Sequence, residues 1–209
     1  MKTIIIDKTN DLSLGRVGSY HLESGLFLLN ALIEKEYQVA NNRDIYNTGL
    51  ISALYLIYQG TENYLKNIIF YITINNDTDL HAIKTIHNLH DLIKEVKSRA
   101  IKFKTKEQQK KINEYLEWIN KNIIIFKDIH KDLDTAHQLI RFGTNIKESI
   151  KVKPEFLNLT QKNNRKADFN KLYEKVIYLC GALEELNIFV KNNVKKLNKS
   201  FDNTTKGRL

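Results

Sequence analysis

Proline and glycine are so scarce in this chain that it can contain few tight turns. Among 209 residues there are one proline and eight glycines, against ordinary frequencies of about 5% and 7%. A β-sandwich or an α/β fold needs many turns, and those turns rely on glycine and proline. The composition therefore favours an all-α fold, in which a few long helices are joined by few connections.

Aliphatic residues recur at helical spacing along most of the chain, which predicts five helices. We place these helices at residues 19–40, with Ser19 as the N-cap, and at residues 45–72, 80–99, 106–140 and 167–197. The second helix has the broadest apolar stripe, so we expect it to form the buried centre of an up-and-down bundle. The fourth is long for a helix without an internal cap, which predicts a kink or a split within it.

The predicted domain organisation is one bundle with two flanking segments. Residues 1–18 are expected to form an irregular N-terminal arm, and residues 193–209 a frayed basic C-terminal tail. Residues 19–192 make up the bundle of four to five long helices. Within it, residues 145–166 contain the only proline and are expected to be an extended connection.

Cysteine content and hydropathy predict a cytoplasmic protein. The single cysteine, Cys180, cannot form an internal disulfide, which fits a reducing compartment, and we expect it to be a small buried apolar residue. We find neither an apolar run of about 18 residues nor a signal peptide, so we expect no membrane association.

The charge balance favours an anionic partner. The chain has 33 basic and 24 acidic residues, a formal net charge of +9, which suits RNA, DNA or a nucleotide. An AT-rich genome also enriches lysine, asparagine and isoleucine. The charge alone therefore leaves open whether it reflects a ligand.

Three segments, in order, resemble the HEPN family (higher eukaryotes and prokaryotes nucleotide-binding). Residues 60–69, GTENYLKNII, resemble the Glu-x-x-Leu-Lys core of its second helix, and residues 89–96, LHDLIKEV, resemble the start of its third. Residues 139–144, LIRFGT, resemble the Arg-Tyr-Pro element after the fourth helix, with Phe142 and Gly143 in place of Tyr-Pro. The match covers roughly residues 19–192.

The resemblance implies a helical bundle that pairs into a homodimer. It also implies a role in a bacterial toxin–antitoxin or phage-defence system, where relatives act as ribonucleases or as partners of nucleotidyltransferases. Nuclease members carry an arginine, four to six residues and then a histidine. The histidine serves as acid and base at the RNA 2′-hydroxyl, and the arginine stabilises charge on the phosphate, without a metal.

The expected arginine–histidine spacing is missing where the resemblance would put it. No histidine follows Arg141 at positions 146–148, and only Arg16 with His21, near the first helix, has the spacing. A divergent catalytic pair of His90 and Arg141 remains possible on chemical grounds. Two histidine sets, His87 with His90 and His130 with Asp134 and His137, have helical spacing that suits a metal. Because such sets arise readily by chance, we predict neither a metal nor a cofactor.

The leading hypothesis is therefore a HEPN-type protein that binds RNA or a nucleotide without the usual nuclease motif. Two alternatives stay open: a metal-independent endoribonuclease using His90 and Arg141, and a purely structural protein-interaction module. The residues predicted to contact RNA are Lys94, Lys97, Arg99, Lys102, Lys104 and Lys106.

Overall fold

The computed structural model describes residues 14–34, 43–73, 83, 85–101, 103, 105–127 and 165–205. All regular secondary structure in these ranges is helical. The helices there are α1 (Leu14–Glu34), α2 (Arg43–Thr73), α3 (Leu89–Ala100), α4 (Lys106–Asn122) and α5 (Arg165–Thr205), and one further helical turn, Ile124–Lys127, follows α4. The predicted all-α class is thus confirmed.

Helix α2 is the centre of the bundle, as its broad apolar stripe predicts. It contacts α1, α3 and α5, while α4 packs against α3 and α5. The buried apolar side chains of α2 cover more than one side of the helix: Leu50, Ala53, Leu54, Ile57, Tyr58, Tyr64, Leu65, Ile68 and Ile69. Full burial of a leucine or isoleucine contributes about 1.5–3 kcal/mol, so this helix supplies much of the packing energy.

Helix α1 begins at Leu14, five residues before the predicted cap, so the predicted irregular arm is wrong for residues 14–18. Ser19 does not cap the helix, because its hydroxyl donates to the Glu23 carboxylate one turn further along (2.8 Å). Packing explains the early start. A Cβ on Gly18 would lie 3.0 Å from the carbonyl oxygen of Gly60, and a Cβ on Gly60 would lie 2.9 Å from that of Gly18. The two backbones approach this closely only because both residues are glycine.

Helix α3 begins at Leu89, nine residues later than predicted. Asn88 is its N-cap, with an extended backbone (φ −75°, ψ 122°) and a side-chain oxygen that accepts from the backbone N–H of His90 (2.9 Å). This bond satisfies one of the donors that every helix start leaves without an intrahelical partner. The cap therefore fixes where the helix begins.

Helix α4 begins at Lys106, as predicted, and is interrupted early. Thr105 and Gln108 form a reciprocal capping box at its start. The helix ends at Asn122, and Ile123 separates it from the turn at Ile124–Lys127. The predicted kink or split is confirmed at this position, and residues 128–140 lie outside the described residues.

Helix α5 runs to Thr205, beyond the predicted helix end at residue 197. Val194 extends its buried face past residue 192, the predicted end of the bundle. The Gln108 amide also donates to the side-chain oxygen of Asn193 (3.0 Å), which ties this part of α5 to α4. None of the helices described here combines the length and apolar content required for a bilayer crossing.

Candidate nucleic-acid interface

The start of α3 is held firmly against α2. The hydroxyl of Tyr58, a fully buried residue of α2, donates to the backbone carbonyl of His87 (3.0 Å). The Tyr58 ring also meets the Phe126 ring edge-on, with 5.0 Å between centroids. Because a buried aromatic ring and a helix cap both restrain this corner, the outer face of α3 projects from a rigid support.

The outer face of α3 has a basic stripe. His90, Lys94 and Lys97 follow one another at i, i+4 and i+7, so they share one side of the helix over about 10 Å. Lys94 and Lys97 are exposed, and His90 is partly buried. Lys94 lies 3.0 Å from the Asp91 carboxylate, but both side chains are more than half exposed, and such a surface pair is weak. Its ammonium can exchange that partner for a phosphate at little cost.

Arg99 differs from these lysines. Its side chain is only 12% exposed and bridges two helices: it pairs with Glu95 of α3 and donates to the hydroxyl of Thr73 of α2 (2.6 Å). Through these contacts, Arg99 links the end of α2 to the end of α3.

The other predicted site residues divide between the surface and the parts outside the described ranges. Lys106, the first residue of α4, is exposed. Lys102, Lys104 and Arg141 lie outside the described residues, as do the histidines at 130 and 137. The described residues therefore do not test the His90–Arg141 pair.

Arg16 and His21, the one pair with the nuclease spacing, both lie on α1 and have different partners. The Arg16 Nε donates to the Tyr20 hydroxyl (2.9 Å), and its guanidinium lies 5.9 Å from the centroid of that ring. The His21 Nδ1 lies 3.4 Å from the side-chain nitrogen of Asn63.

A buried carboxylate of α2 joins the Glu-x-x-Leu-Lys segment to the residues before α3. Glu62 Oε1 accepts from the Lys66 ammonium (2.7 Å) and lies 3.0 Å from His87 Nδ1. Glu62 and Lys66 have side chains only 5% and 9% exposed, whereas that of His87 is 48% exposed. An ionised carboxylate only accepts hydrogen bonds, so a hydrogen bond from His87 to an ionised Glu62 requires the tautomer that has its proton on Nδ1.

The i,i+4 spacing of Glu62 and Lys66 predicts their ion pair, but not its burial. The sequence suggests His87 only as a metal ligand, and nothing in it joins His87 to Glu62, 25 residues earlier. In the described part of the chain no three histidine, cysteine, aspartate or glutamate residues are grouped as a metal site would require.

Cys180 lies partly buried on α5. Burial, and then the nearby Glu184 carboxylate, raise the pKa of its thiol to about 12. The thiol therefore stays protonated at neutral pH and behaves as the small apolar residue that was expected.

Comparisons with known proteins give no relative on which to base a family assignment. The chain matches no protein-family model, and neither the curated proteins nor the solved structures contain a significant match.

Proposed function

We propose that this chain is a HEPN-type bundle that binds RNA through the basic stripe of α3 and the adjoining start of α4. We further propose that it acts as a cytoplasmic homodimer in a prokaryotic defence or toxin–antitoxin system, with a nucleotidyltransferase or another defence-system protein as its partner. Two of the three HEPN-like segments support the family proposal, because they lie on α2 and α3, which contact each other.

The exposure of Lys94 and Lys97 in one stripe is the observation that carries the RNA-binding proposal. The surrounding sequence is strongly basic: positions 94–111 contain two acidic residues, Glu95 and Glu107, and the basic residues Lys94, Lys97, Arg99, Lys102, Lys104, Lys106, Lys110 and Lys111. Exposed lysines on a rigid helix contact phosphates without reading sequence. We therefore expect RNA binding with little base specificity.

Salt dependence of RNA binding is the test. Fluorescence anisotropy with a labelled single-stranded RNA gives the association constant at several salt concentrations, and ATP is added in parallel as a competing mononucleotide. Each phosphate contact to single-stranded nucleic acid adds about 0.7 to the slope of log K against log salt. Replacing Lys94 and Lys97 by glutamate should therefore lower that slope by about 1.4 and weaken binding for all sequences tested.

A matched control has the same charge change elsewhere. Lys171 and Lys175 are exposed on α5 at i and i+4, and their replacement by glutamate should leave most of the affinity intact. Equal losses in the two double variants would mean that only net charge matters, and a flat salt response would remove the RNA-binding proposal. Competition by ATP at concentrations near those of RNA phosphate would instead favour a nucleotide site.

A metal-independent ribonuclease is the second candidate, and the Glu62–His87 pair favours it. A buried carboxylate beside Nδ1 holds the half-exposed imidazole in one orientation, and the tautomer protonated at Nδ1 has its basic nitrogen at Nε2. In such a reaction His87 Nε2 takes the proton of an RNA 2′-hydroxyl, and the 2′-oxygen attacks phosphorus. The 5′-oxygen leaves with the bonding electron pair and takes a proton from water, and the hydroxide that remains takes the proton from His87 Nε2. The products are a 2′,3′-cyclic phosphate and a 5′-hydroxyl.

Purified protein incubated with RNA in the presence of EDTA tests this second candidate. His87→Ala should abolish the cyclic-phosphate product and retain RNA binding, and added imidazole should restore part of the activity. His90→Ala is the matched control. Loss of cleavage in His90→Ala alone would favour the pair predicted from sequence. No cleavage by the unaltered chain would exclude the ribonuclease candidate and leave the RNA-binding proposal in place.

A further inference from the structure

A concave pocket of about 530 Å³ lies between α4 and α5. Three aromatic side chains contribute to its wall, Tyr115 and Trp118 from α4 and Tyr178 from α5. Trp118 and Tyr178 are 60% and 58% exposed. Large aromatic side chains at this exposure usually mark a binding surface when they gather in one concavity.

The polar part of the pocket is mainly acidic. The carboxylates of Glu114 and Glu185 line it together with one ammonium, that of Lys111. Burial is the largest cause that raises the pKa of the Tyr115 hydroxyl, and the nearby Glu185 carboxylate raises it further. The pocket therefore combines aromatic faces, which carry negative electrostatic potential, with a surplus of negative charge.

The ammonium of Lys111 is an example of a cation bound at the wall of this pocket. This ammonium lies 5.1 Å from the centroid of the Tyr115 ring and 3.5 Å from the Glu114 carboxylate. This is a cation–π contact combined with an ion pair, made by a side chain that is about half exposed. A cation of the same chain already occupies one side of the pocket.

We propose that the α4–α5 pocket binds a small organic cation of the alkylammonium class. Aromatic faces attract a quaternary or protonated ammonium through the ring quadrupole, and the carboxylates neutralise its charge. A neutral molecule of the same shape gains only the apolar contact. This site is separate from the basic stripe of α3, and it goes beyond the proposed RNA binding.

Trp118 provides a direct readout because it is the only tryptophan in the chain. Its fluorescence is followed while the full chain is titrated with choline, and separately with neohexyl alcohol, the neutral carbon analogue of choline. Sodium chloride keeps the ionic strength constant. We expect a saturable response to choline and at least about tenfold weaker binding of the alcohol. Equal affinities, or no saturable response to choline, would overturn the proposal.

Two substitutions in the pocket should act in opposite directions. Glu185→Gln removes a carboxylate and should weaken choline binding severalfold, whereas Lys111→Gln removes the competing ammonium and should strengthen it. Tyr20→Leu, a change at an exposed tyrosine of α1, is the control and should alter neither titration. If Glu185→Gln and Lys111→Gln shift the affinity in the same direction, or leave it unchanged, the charge-based recognition is wrong. Circular dichroism of each variant verifies that the fold is retained.

Discussion

Replacing glycine by alanine should have opposite effects on stability at two positions, Gly60 in the close crossing of α1 and α2 and Gly181 on the surface of α5. A Cβ on Gly60 would lie 2.6 Å from Leu22 Cγ and 2.9 Å from the Gly18 carbonyl oxygen, both closer than real Cβ contacts allow. Gly181, in α5, is exposed, and a Cβ there would meet no heavy atom within 4 Å. The two sites therefore separate packing from helix propensity.

The magnitudes follow from two competing effects. Replacing a helical glycine by alanine gains about 1 kcal/mol of helix propensity. At Gly60 this gain is opposed by overpacking, which costs about 1–3 kcal/mol and is near its upper end here because a backbone oxygen cannot rotate away. We expect Gly60→Ala to lower the free energy of unfolding by about 1–2 kcal/mol, and Gly181→Ala to raise it by up to about 1 kcal/mol.

Urea unfolding followed by circular dichroism measures both values. For a domain of this size, 1 kcal/mol corresponds to a shift of about 2–4 °C in Tm, so thermal melts provide an independent estimate. An unchanged or raised stability in Gly60→Ala would refute the backbone approach of α1 and α2. A destabilised Gly181→Ala would show that this face of α5 is covered.

Three further predictions concern the buried pair, the α4 cap and the thiol. Glu62→Gln removes the carboxylate that is paired with the buried Lys66 ammonium and should lower the free energy of unfolding in urea by about 3 kcal/mol. Adding Lys66→Met should recover part of this loss. Full stability of the single variant would contradict the burial of the pair. Thr105→Ala should cost about 1 kcal/mol by removing the capping box, whereas Thr105→Ser should be nearly neutral, and equal stabilities would argue against the cap. Because burial raises the pKa of Cys180 from 9.0 to about 12, its thiolate is scarce below pH 9 and grows only as the pH rises towards 12. Iodoacetamide at pH 8 should thus alkylate the native chain at least about tenfold more slowly than the urea-unfolded chain, and equal rates would show an exposed thiolate.

The sequence allowed prediction of the helical class and of most buried faces because these depend on local periodicity. Leu22, Leu116 and Leu183 belong to predicted apolar stripes, and all three are buried. Helix starts were less predictable. The sequence predicts an irregular arm up to residue 18, yet Gly15 and Gly18 lie in α1 and pack closely against α2. The packing energy there outweighs the low helix propensity of glycine.

The side-chain partners of the candidate site were beyond prediction because they join distant parts of the chain. In the sequence, Arg99 cannot be distinguished from the exposed lysines around it, because its bonds to Thr73 and Glu95 exist only in the folded chain. His87 becomes a candidate acid–base residue only because it lies beside Glu62 of α2. The exposed stripe of Lys94 and Lys97 was predictable, since it needs only the charge pattern and one helix face.

Lysine acetylation footprinting tests the central claim, RNA contact by the basic stripe, most directly. The full chain is treated with a limiting acetylating reagent with and without single-stranded RNA, and each lysine is quantified by mass spectrometry. We predict that RNA protects Lys94, Lys97 and Lys106 while Lys171 and Lys175 of α5 react as before. Protection of the α5 lysines instead, or of none of the five, would contradict the proposed interface.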